Sequence, residues 1–83
     1  MARCLLPSLV AHLRTELIRY YPDTPETDIG VRLCGSGAIE LYIDTGANPL
    51  RFIQANVHDS DADWFEFLSL SSGRMLTLPL MPA

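Results

Sequence analysis

Ile29-Gly30-Val31-Arg32-Leu33-Cys34-Gly35-Ser36-Gly37-Ala38-Ile39-Glu40-Leu41-Tyr42-Ile43-Asp44 is the stretch that decides the fold. Ile29, Val31 and Leu33 alternate with Gly30, Arg32 and Cys34. After the glycines, Ile39, Leu41 and Ile43 alternate with Glu40, Tyr42 and Asp44. A period of two places every second side chain on one face, the mark of a strand with one face buried. Gly35-Ser36-Gly37 supplies the positive φ angles of a tight hairpin between the two runs. The pattern predicts antiparallel strands over 29–34 and 38–44.

Downstream the same grammar continues. Thr45-Gly46-Ala47-Asn48-Pro49 is a second turn, followed by a strand over 50–57. His58-Asp59-Ser60-Asp61-Ala62-Asp63 is an acidic loop. The next run has two readings: Ser60 with Asp63 forms a capping box for a helix through Trp64-Phe65-Glu66-Phe67-Leu68, or residues 64–70 form a strand. Aromatic enrichment and the serines at 69, 71 and 72 favour the strand. Ser71-Ser72-Gly73-Arg74 then turns into a last strand over 74–80, where Pro79 fits only an edge strand or a strand end.

Upstream the period changes. Leu6, Leu9, Val10, Leu13, Leu17, Tyr20 and Tyr21 fall within an arc of roughly 120° at about 100° per residue, predicting an amphipathic helix over 6–21. His12, Thr15, Glu16 and Arg19 take its opposite face. Pro7 suits the first turn and Pro22 stops the helix. Residues 22–28 form a linker rich in turn residues. The fold class that follows is α+β: one N-terminal amphipathic helix packed on a four- to five-stranded antiparallel β-meander, in a single domain spanning residues 1–83.

Composition sets limits on function. Six arginines and no lysine stand against ten acids, for a net charge of −4. That balance opposes general nucleic-acid binding, which needs clustered cations facing phosphate. The 48% hydrophobic content supports a core. No apolar run approaches the ~18 residues that cross a bilayer, and the start of the chain does not read as a signal peptide. Two cysteines, Cys4 and Cys34, are few for a secreted disulfide scaffold, so free thiols in a cytoplasmic protein are expected. With guanidinium as the only cation, the arginines are expected to pair with the chain's own carboxylates.

Two short motifs carry chemical readings. Ile43-Asp44-Thr45-Gly46-Ala47 resembles the hydrophobic-Asp-Thr-Gly-Ala signature of retropepsin-like aspartic proteases, and the resemblance covers about residues 29–48. It implies a homodimer in which Asp44 is the catalytic carboxylate, Thr45 braces the paired loops and Gly46 permits the turn. The preferred reading of the same residues is turn chemistry between strands, where Asp and Gly are favoured. Only one glycine, Gly73, follows, where that family needs an apolar-apolar-Gly segment. Asp59-Ser60-Asp61-Ala62-Asp63 has the opening of a calcium loop, but Trp64 and Leu70 stand where an EF-hand needs Gly and Glu, so a solvated acidic loop is expected. No His or Cys pair has ligand spacing, and neither a metal nor a cofactor is expected.

Four of the ten acids fall between Asp59 and Glu66, interleaved with Trp64, Phe65 and Phe67. Aromatics dominate interface hot spots. The expected site is therefore a partner-binding patch of Asp59, Asp61, Asp63, Trp64 and Glu66, in a small non-enzymatic protein–protein interaction module. Two alternatives stand beside it: a minimal aspartic protease built on Asp44, and an acidic decoy of a nucleic-acid-binding surface. The uncharged end of the chain adds a homodimer expectation, through the 75–83 edge strand or an exposed sheet face.

Overall fold

The computed structural model describes residues 5–44, 46 and 48–80. The sequence readings that fall on Cys4, Thr45, Ala47 and residues 81–83 lie outside them. Helix α1 spans Pro7–Tyr20, and strands β1 (Ile29–Leu33), β2 (Ile39–Ile43), β3 (Leu50–Gln54), β4 (Trp64–Ser69) and β5 (Met75–Pro79) follow. They form one antiparallel sheet in the order β1-β2-β3-β4-β5, as the short connections dictate. The expected helix on a five-stranded meander is what the chain forms.

Register follows from the hairpins. Gly37, Gly46 and Gly73 take φ of 90°, 93° and 72° in the three tight connections. Around the first, Cys34 N–H donates to the Ala38 carbonyl, and Val31 stands opposite Leu41. The inner face of the sheet collects Ile29, Ile39, Leu41, Ile43, Phe52, Phe65, Phe67 and Leu78, which close with Leu13 and Leu17 of α1 into the core. Residues 64–69 are strand and not helix, with Phe65 and Phe67 turned inward. The helical alternative would have swept those aromatics around an axis and broken the alternation that buries them.

The helix does more than cover one face. It packs against both β1 and β5, the two edges, so the sheet curls around it. Arg14 Nε donates to the Ile29 carbonyl on β1 at 3.1 Å. On β5, the Tyr20 hydroxyl donates to the Thr77 carbonyl at 3.0 Å, and His12 Nε2 bonds the Pro79 carbonyl at 2.5 Å. Unpaired edge carbonyls are thereby satisfied by helix side chains.

Two sequence expectations are corrected. The helical face is rotated: Leu13, Glu16 and Leu17 are buried, whereas Leu6 and Tyr20 are exposed. Wedging α1 between two strand edges buries one polar flank too, and Glu16 is left 3.7 Å from Arg19 as its ion pair. Strand β3 ends at Gln54, three residues short of the expected Val57. Beyond it the Asn56 side chain replaces backbone, donating to the Trp64 carbonyl and accepting from Glu66 N–H. Among the described residues no helix is long and apolar enough to cross a membrane.

Candidate functional site: the outer face of the sheet

Because α1 fills the inner side, no element among the described residues is laid over the second face of the sheet. Strand alternation assigns that face Gly30 and Arg32 of β1, Glu40 and Tyr42 of β2, and Arg51 and Ile53 of β3. Trp64, Glu66 and Leu68 of β4, with Met75, Thr77 and Pro79 of β5, complete it. Cross-strand register then draws one row over all five strands: Arg32, Glu40, Ile53, Leu68, Met75. The row begins ionic and ends apolar.

At the ionic end, Glu40 is only 3% exposed although it lies on an uncovered face. Two guanidiniums cover it. Arg32 Nε donates to Glu40 Oε1 at 2.5 Å, and Arg51 Nη2 donates to Oε2 at 2.7 Å. Burial pushes the Glu40 carboxyl up. The hydrogen bonds from Arg51 and Arg32, with their charges, outweigh it and hold the group below its ordinary value of 4.5. Arg32 is raised in turn, first by its hydrogen bond to Glu40 and then by that carboxylate's charge.

Tyr42 completes the cluster. Its ring lies over Gly30, so closely that a Cβ at position 30 would collide with Tyr42 Cζ. Glycine there makes room for the ring, which also lies 6.0 Å from Arg32 Cζ, within cation–π range. Arg32, Glu40, Tyr42, Pro49 and Arg51 line a shallow hollow of about 180 Å³.

The chemistry available here is recognition of an anionic group. Each guanidinium has five N–H donors, and Glu40 engages one from each. The two side chains remain 60% and 48% exposed with donors to spare. A buried carboxylate that orients two arginines fixes the fork geometry suited to a carboxylate ligand. At the other end, Trp64, Leu70 and Met75 are 45%, 51% and 50% exposed.

The residues singled out from sequence divide between two places. Trp64 and Glu66 stand on the outer face of β4, the same face as the arginines. Asp59, Asp61 and Asp63 are exposed in the preceding loop. There Asp59 Oδ1 accepts from Asp61 N–H, and the Asp63 carbonyl accepts from Leu80 N–H. Asp44 is exposed in its turn, where Oδ1 accepts from Gly46 N–H at 3.2 Å. Among the described residues no three His, Cys, Asp or Glu side chains gather as metal ligands would.

Sequence reasoning missed the Arg32–Glu40–Arg51 cluster, although one signal was present. Arg32 and Glu40 lie equally far on either side of Ser36, so closing that hairpin sets them opposite each other. Arg51 joins only after the second hairpin fixes its register beside Tyr42. Compared with known proteins, the chain matches no family model, no curated protein and no solved structure.

Proposed function

We propose that the protein is a cytoplasmic, non-enzymatic interaction module that docks through the outer face of its sheet. Its partner is a protein surface presenting a carboxylate beside apolar side chains. One observation carries this: a buried glutamate holds two half-exposed arginines at one end of a cross-strand row whose other end is apolar.

Energetics favour recognition over stability as the reason for the cluster. A buried ionic triad is weak support for a fold, because desolvation cancels much of the Coulomb gain and apolar residues serve as well. Its surroundings match interface composition, in which Arg, Tyr, Trp and Met are enriched. Two guanidiniums form too small a cationic footprint for a phosphate backbone, and the chain carries −4 overall.

The test places a photo-crosslinking phenylalanine analogue at Met75 on the outer face or at Ala11 on the exposed flank of the helix, in the source cells. Protein adducts are expected from position 75, not from position 11, and Arg51→Ala should reduce the yield about tenfold. Absence of any protein adduct from position 75, or equal adducts from both positions, overturns the proposal.

A further inference from the structure

The outer face contains both halves of an ionic interaction. Glu66 is half-buried between Trp64 and Leu68, and its carboxylate has no ion-pair partner among the described residues. Arg51 keeps Nε and Nη1 free of Glu40, which takes Nη2. Within one chain these two groups cannot meet. Arg51 lies two residues before Ile53 on β3, and Glu66 lies two residues before Leu68 on β4.

Ile53 and Leu68 are direct cross-strand partners. Because the strands are antiparallel, Arg51 and Glu66 stand about 7 Å to opposite sides of that pair, at ~3.4 Å per residue. We infer that the occupant of the outer face is a second copy of this chain, packed face to face about a twofold axis that runs across the strands. This rests on the outer face being the docking surface, and it names the partner.

That operation sets Arg51 of each copy against Glu66 of the other, so the ion pair forms twice. Ile53 and Leu68 meet their own counterparts at the centre. Met75, in the same cross-strand row, meets its own counterpart as well. Trp64 reaches the hollow formed by Tyr42, Pro49 and Arg51, giving an aromatic anchor a concave receptor. Self-complementarity of this kind is what an isologous interface requires. The Glu66 carboxylate and the exposed apolar side chains are covered by the same contact.

Sedimentation equilibrium of the full chain tests the inference, with Arg51→Gln, Glu66→Gln and the double variant compared with wild type. Each single change should weaken the dimer about tenfold, and the double should be little weaker than either, since removing one partner already removes the pair. The wild-type dimer should also weaken several-fold between about 50 and 500 mM salt, a readout that needs no substitution. Losses that add in the double variant, or a dimer indifferent to salt, overturn the ionic register. A wild type monomeric to about 500 µM, well above the range where a dimer of micromolar Kd fills, overturns the second copy as occupant. If position 75 then still crosslinks another protein, the docking face stands and only its partner changes. If position 75 crosslinks nothing, the docking face falls as well.

Discussion

Gly30 and Glu40 show how single residues shape the outer face. Alanine at position 30 would meet the Tyr42 ring. In a strand, alanine gains roughly 0.5–1 kcal/mol over glycine, which offsets the packing Tyr42 gives up. Gly30→Ala should therefore leave the denaturation free energy within about 1 kcal/mol of wild type. The Tyr42 ring should still leave Arg32, shifting its NMR resonances, and unmoved resonances would contradict the placement. Glu40 predicts an acid dependence. Its folded pKa lies below the ordinary 4.5, so the folded state binds its proton less readily than the unfolded chain does. The stability this contributes is present above the unfolded value and disappears as pH falls through the folded one. Thermal unfolding of wild type and Glu40→Gln from neutral pH down to about pH 3 should give curves that converge in acid. Parallel curves would show that the two guanidiniums do not depress Glu40.

At the level of elements, α1 acts as a clasp across both edges of the sheet. His12 and Tyr20 bond β5 carbonyls, and Arg14 bonds a β1 carbonyl. Tyr20→Phe should cost about 1 kcal/mol and lower Tm by about 4–8 °C in a domain of this size, read by calorimetry. A Tm unchanged within a degree would mean the edge bond adds nothing. Leu17→Ala, which removes a fully buried side chain, should cost more, about 2–5 kcal/mol. These contacts also explain what the sequence could convey. Alternation in 29–43 and in 64–70 specified the strands, since a period of two survives wherever one face is buried. The helix was legible as a helix, and Leu13 and Leu17 as its buried centre, but its flank was not: Glu16 is buried, and His12 and the half-exposed Tyr20 bond edge carbonyls, which no rule of amphipathicity anticipates. The end of β3 was obscured because the Asn56 amide continues the ladder without strand geometry.

For the whole molecule, the meaning of the charge lies in its placement. The net −4 spreads over loops, while the outer face gathers two of the six arginines on one buried glutamate. Only the Arg32–Glu40 half of that was readable beforehand, from the first hairpin, because Arg51 becomes their neighbour only once the second hairpin register is fixed. Trp64 and Glu66 were legible from their local aromatic and acidic context, although the face they share with the arginines was not. The central claim is that this cluster exists to recognise a partner and not to hold the sheet. Its most direct test is the variant Arg32→Met/Glu40→Leu/Arg51→Met, measured for both Tm and crosslinking yield from position 75. An apolar triplet of similar volume should preserve the fold, with Tm unchanged or raised, and should cut the yield about tenfold or more. A variant that unfolds, or one that folds and crosslinks as wild type does, would contradict the account.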